Sequence, residues 1–176
     1  MYCLVILFDM AMGAGLPIIN QLKPNLTSGI VIDRYHSLAV KFYPTASDNL
    51  FEKAIISLGT LNVKSPYNSV TLSLCQNKDE LPVWNDCIES STFNLPNRDV
   101  YELEWISRDV PRLPQDSYWL MVTGNGRNQG SGFTWFDADY TNPKVYNLTT
   151  AYWNRDHYDL KNSNYGPSLF LTLQLF

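Results

Sequence analysis

The stretch SVTLSLC, residues 69–75, alternates polar and apolar side chains without a break. Val70, Leu72 and Leu74 fall on one side of an extended chain; Ser69, Thr71, Ser73 and Cys75 fall on the other. A segment with this period of two buries one face only as a strand. Similar runs recur along the chain. GIVIDRYHSLAVKFYPT reads as one or two strands, with Ile30, Ile32, Leu38, Val40 and Phe42 apolar. NLFEKAIISLGTLNVK reads as a strand with a bulge at Gly59, although its FEKAI opening also suits a helix start. STFNL, VYELEWI, SYWLMVTG, GFTWFDAD, KVYNLTTAYW and SLFLTLQLF complete the set.

This gives about nine strands, separated by turn signals at roughly 8–15 residues, with no long helix between them. Strands that do not alternate with helices form antiparallel sheets. The expected fold is therefore all-β: an antiparallel β-sandwich, jelly-roll-like. The 11 Tyr, 8 Phe and 5 Trp suit half-buried pleated surfaces. KDELPVWNDC, with Pro82 and Trp84, and PRLPQD read as polar connections. No repeat or low-complexity linker divides the chain, so residues 22–176 form a single domain.

Residues 1–21 read as a signal or leader segment. Residues 2–8 are apolar, and Ala11, Gly13, Ala14 and Gly15 follow like a cleavage region. Asp9 interrupts the run and no basic residue precedes it, so an apolar first strand is the competing reading. No other run approaches the ~18 apolar residues of a membrane span. Export leaves Cys75 and Cys87 as an even pair once Cys3 departs with the leader. A disulfide between them closes a short loop, worth roughly 3 kcal/mol by chain entropy. Two N-glycosylation sequons begin at Asn25 and Asn147. The expected localisation is secreted or cell surface.

The net charge of −4, with no Lys/Arg cluster, argues against nucleic acid as a partner. His36 and His157 are the only histidines, and neither lies in a nucleophile motif. Glu102 and Glu104 share one strand face, with Cβ atoms about 7 Å apart. They are the acids of an alternative reading, a polysaccharide hydrolase. Asp137 and Asp139 alternate, and with Asn142 they offer oxygen ligands to a structural calcium. No other cofactor is expected. The loop TGNGRNQGSG joins two aromatic strands. Its glycines suit a hairpin turn. Asn125, Arg127, Asn128 and Gln129 at its tip, with Trp119 and Trp135 on the flanking strands, are groups that bind sugars. Each tryptophan also sits in an apolar run, the pattern of a core residue.

The order LFEKAIISLGTLNVK, SVTLSLCQNKDELPVW, VYELEWISRDVPRLPQDSYWLMVTG, GFTWF is similar to the choice-of-anchor R type of β-sandwich domain. The resemblance covers most of residues 36–140, including the polar loop with Pro82 and the element LPQDSYWL. Gln115-Asp116-Ser117 stands where that family has a turn glycine. The resemblance implies an extracellular, non-catalytic sandwich. The expected function is a secreted or cell-surface module, structural or ligand-binding, with a glycan or another surface protein as partner. A coat or appendage subunit that assembles through its sheet edges is a further alternative.

Overall fold

The computed structural model describes residues 16–21, 23–44, 49–59, 68–95, 100–114, 117–125, 132–138, 148–154, 157–163, 167 and 169–175. Twelve strands fill them: β1 (Leu16–Gln21), β2 (Pro24–Ile32), β3 (His36–Phe42), β4 (Asn49–Gly59), β5 (Asn68–Lys78), β6 (Leu81–Leu95), β7 (Val100–Ile106), β8 (Tyr118–Gly124), β9 (Phe133–Ala138), β10 (Leu148–Asn154), β11 (His157–Ser163) and β12 (Leu169–Leu175). There is no helix among the described residues. The fold is the expected antiparallel β-sandwich of two open sheets.

The first sheet runs β1-β12-β4-β9-β2, with β7 also on β4; the second runs β11-β10-β3-β8-β5-β6. One edge of β4 carries β7 along Lys53 to Gly59. The other edge is shared in succession by β12, up to Ile56, and β9, at Leu58 and Gly59. From β2 to β9 the chain changes sheet at every connection except the β5–β6 hairpin. The result is β2-β9-β4-β7 over β3-β8-β5-β6, the eight-strand arrangement of a jelly roll. β1 and β12 extend the first sheet, and the β10–β11 hairpin extends the second.

Three strands lie where the sequence pattern is quiet. β1 falls inside the segment read as a leader: its residues pair with β12, so 16–21 belong to the sandwich. Residues 1–15 lie outside the described residues. β6 is 15 residues long and takes in Pro82 and Trp84, read above as a connection. β11 closes the opposite edge of the same sheet. An edge strand buries less apolar surface than a central one, so its sequence carries a weaker signal.

The FEKAI segment is strand, because Phe51, Ala54, Ile56 and Leu58 are all fully buried. Their spacing shifts phase between 51 and 54. Glu52 is the extra residue, looped out where Phe51 pairs with Leu173 and Lys53 with Thr172. The bulge thus lies at Glu52, not at Gly59, and it returns the apolar side chains to the core face.

Between the sheets pack Leu38, Val40 and Phe42 of β3, Val70, Leu72 and Leu74 of β5, and Tyr118, Leu120 and Val122 of β8. Phe51, Leu58, Trp105 and Trp135 meet them from the first sheet. Phe51 and Trp105 lie 5.0 Å apart between ring centroids, Phe42 and Tyr118 6.0 Å. Each such side chain contributes about 1.5–3 kcal/mol on burial. A polar brace ties the layers together: Glu89 on β6 accepts from Ser107 Oγ at 2.5 Å and from Arg108 N at 2.9 Å, just past β7.

Candidate functional site: the outer face of the second sheet

Alternation that sends Leu38, Leu72 and Leu120 inward sends their neighbours outward. The strand registers align these outward positions in rows. One row reads Trp153, Ser37, Thr123, Thr71, Thr92. The next reads Ala151, Ala39, Met121, Ser73, Ser90. The third reads Thr149, Lys41, Trp119, Cys75, Cys87. The middle row is mostly small, so it forms a trough. Ser90 Oγ bonds Ser73 Oγ, and the Thr71 and Thr92 hydroxyls bond each other, both at 2.8 Å.

Trp84 reaches this face from a bulge. Asn77 pairs with Pro82 and Cys75 with Cys87, so one residue of β5, Gln76, faces four of β6, residues 83–86. Trp84, in that bulge, is 63% exposed. It lines a half-open groove of about 140 Å³ together with Ser37, Met121, Thr123 and Trp153. The groove is smaller than a typical small-molecule pocket of about 300–1,000 Å³, so it has room for only part of a ligand of that size. Two indoles supply flat apolar faces and Met121 a soft floor; Ser37 and Thr123 also line the groove, whose surface is almost wholly apolar. Flat indole faces of this kind stack on the apolar face of a sugar ring.

The third row is sealed. Trp119 has no exposed surface, and its Nε1 donates to Asn77 Oδ1 at 2.8 Å. Lys41, 3% exposed, sets its Nζ 5.9 Å from the Trp119 ring and 2.6 Å from Glu80 Oε2. Ala39, Cys75, Trp119, Met121 and Ala151 form a small apolar cluster of their own, with Cys87 packed against it.

Of the residues expected to bind sugar, Trp119 and Trp135 are both fully buried and offer no face to a ligand. Trp119 is covered on the outer face; Trp135 packs in the core between the sheets. Asn125 is exposed, but its Oδ1 accepts from Ser69 N at 2.8 Å while its own N–H donates to Ser69 O at 3.1 Å, closing the start of β5. Arg127, Asn128 and Gln129 lie outside the described residues. So do Asp139 and Asn142 of the calcium set, and Asn147 of the second sequon. Asp137 accepts a short hydrogen bond from Ser28 Oγ. Among the described residues no three His, Cys, Asp or Glu side chains cluster as a metal site.

The expected disulfide is present between Cys75 and Cys87. Asn25 lies where β2 swells away from β9: Asn25 pairs with Asp137 but Gly29 with Phe136. Its Oδ1 accepts from Thr27 N at 3.1 Å and Thr27 Oγ1 at 2.7 Å. Glu102 and Glu104 are exposed on β7, in the other sheet from the groove; Glu104 pairs with Lys53 at 3.1 Å. His36 Nδ1 lies 2.9 Å from Asp33 Oδ1, and its ring stacks on Tyr152. Asp33 Oδ1 also accepts from the N–H groups of Tyr35 and His36, so the pair closes the β2–β3 turn.

Sequence reasoning missed Trp84, which is exposed, and Trp153, which is half-buried, as the aromatics of the groove. The usable signal was their setting: each sits among polar residues, in PVWND and YWNRD, where no apolar run claims the ring. No family model matches this chain, and no curated protein is similar to it at a significant level. No helix among the described residues is long and apolar enough to cross a membrane.

Proposed function

We propose that this chain is a secreted or cell-surface, non-catalytic β-sandwich module that binds carbohydrate on the outer face of its second sheet. The observation that carries the reading is the groove between Trp84 and Trp153, floored by Met121 and edged by Ser37 and Thr123. Its lining is uncharged, which suits a neutral sugar better than a sulfated or uronic one. Aromatic rings exposed in a groove supply stacking area with little entropy loss on binding. An intramolecular disulfide is typical of oxidising compartments, which agrees with export. The test is calorimetry of the purified chain against neutral xylo-, manno- and gluco-oligosaccharides. Binding to one of them, weakened at least about tenfold (1.4 kcal/mol) by Trp84→Ala, supports the reading. No binding to any of them sinks it.

A second reading, an assembly subunit, is favoured by Ile106. It is 62% exposed on β7, whose only strand partner among the described residues is β4. An unpaired edge with exposed apolar side chains is a template for association. Light scattering that gives a monomer at working concentration removes this reading.

A further inference from the structure

The disulfide and the groove share one piece of backbone. Residues 83–86 face a single residue of β5, so three of them have no position in the ladder. β6 is the last strand of its sheet, so no described strand holds the bulge from the far side. Its two ends are fixed: by the Asn77–Pro82 pair next to the hairpin turn, and by Cys87. Cys87 Sγ lies 3.4 Å from the carbonyl oxygen of Trp84 and 3.7 Å from that of Val83. A disulfide sulfur carries no proton, so these are packing contacts: the bulge folds back onto the sulfur. The other half, Cys75, is fully buried in the cluster with Trp119 and Met121, and Met121 floors the groove.

We propose that the Cys75–Cys87 bond positions Trp84, so that the groove exists in the oxidised protein and is dismantled when the bond is reduced. Covalent attachment to a buried residue fixes the end of the bulge more tightly than edge-strand hydrogen bonds do. No described strand pairs with the bulge on its outer side, and Trp84 forms one wall of the groove. Reduction by a dithiol is chemically complete. A thiolate of the reductant attacks Sγ of Cys87, the half-buried residue of the pair, and Cys75 Sγ leaves and takes a proton. The second thiol of the reductant then resolves the mixed disulfide. The protein gains two electrons and two protons, and the reductant ends as its own disulfide. The consequence is that the site assembles only where the bond forms, in an oxidising compartment. The functional part of this inference rests on the sugar-binding reading; the structural part, the placement of Trp84, does not.

The test uses the full chain and its Cys75→Val/Cys87→Ala variant, which keeps apolar side chains in the cluster without the bond. Far-UV circular dichroism reads the sheets, amide exchange reads residues 83–86, and acrylamide quenching reads Trp84 by difference from Trp84→Phe. The expected result is unchanged sheet content, exchange at 83–86 faster by on the order of tenfold or more, and a more quenchable Trp84. Unchanged exchange and quenching overturn the proposal, because the bulge then holds itself. Global unfolding of the variant also overturns it, because the bond then secures the whole sheet rather than the groove wall. None of these readouts needs a sugar. If the oxidised chain binds no oligosaccharide, only the sugar-binding reading fails.

Discussion

A β-carbon built on Gly132 would stand 1.9 Å from the carbonyl oxygen of Ile32. The same backbone meets a second glycine, since a β-carbon on Gly124 would stand 2.9 Å from that oxygen. These two residues bracket the β8–β9 connection. They let both of its ends press against the end of β2, where the chain turns from the first sheet to the second. Their requirement is close approach of backbones, which only a residue without a side chain permits. Gly132→Ala is therefore expected to destabilise the protein by about 2 kcal/mol or more, since backbone has to move. Gly124→Ala is expected to cost less. Urea unfolding of the two variants checks the order.

The β5–β6 turn offers a contrast between neighbours. Asp79 and Glu80 both have left-handed backbone, with φ of 51° and 66°. That conformation costs a non-glycine residue about 1 kcal/mol or more. Asp79→Gly is expected to stabilise the chain by up to about 1 kcal/mol, because it relieves the backbone alone. Glu80→Gly relieves the backbone too, but removes the carboxylate bonded to buried Lys41. Glu80 is 66% exposed, which screens the pair. The net expectation is a loss of roughly 1 kcal/mol, as a buried ammonium is left without its acceptor. Thermal melts of both variants give the signs directly.

Two buried tryptophans differ in what their indole N–H does. Trp119 Nε1 donates to Asn77 Oδ1, whereas Trp105 Nε1 is buried with no partner among the described residues. Trp119→Phe strands an acceptor; Trp105→Phe removes a donor that was already unmet. The first is expected to destabilise more than the second by about 1–2 kcal/mol. Equal losses in denaturant titrations would contradict the hydrogen-bond account.

The sandwich was legible because SVTLSLC, SYWLMVTG and SLFLTLQLF alternate or run apolar in ways that only strands accommodate. The Cys75–Cys87 pairing was legible from their count and spacing. The candidate binding face was not. Alternation assigns Trp119 and Thr123 to one side of β8, but it does not say which is covered. That depends on Lys41 and Asn77, which meet Trp119 only through strand registers far apart in sequence, and on Glu80, which holds Lys41. Trp84 was hidden for a related reason. Its exposure comes from a register shift between β5 and β6, and a shift leaves no mark in residue periodicity.

The proposed binding face is tested most directly by the indole N–H resonances of the five tryptophans. These are followed by NMR while a neutral oligosaccharide that binds is titrated in. The account predicts that the Trp84 and Trp153 signals move together and saturate, while those of Trp119 and Trp135 stay in place. Shifts at Trp119 or Trp135, with Trp84 and Trp153 unmoved, would contradict it.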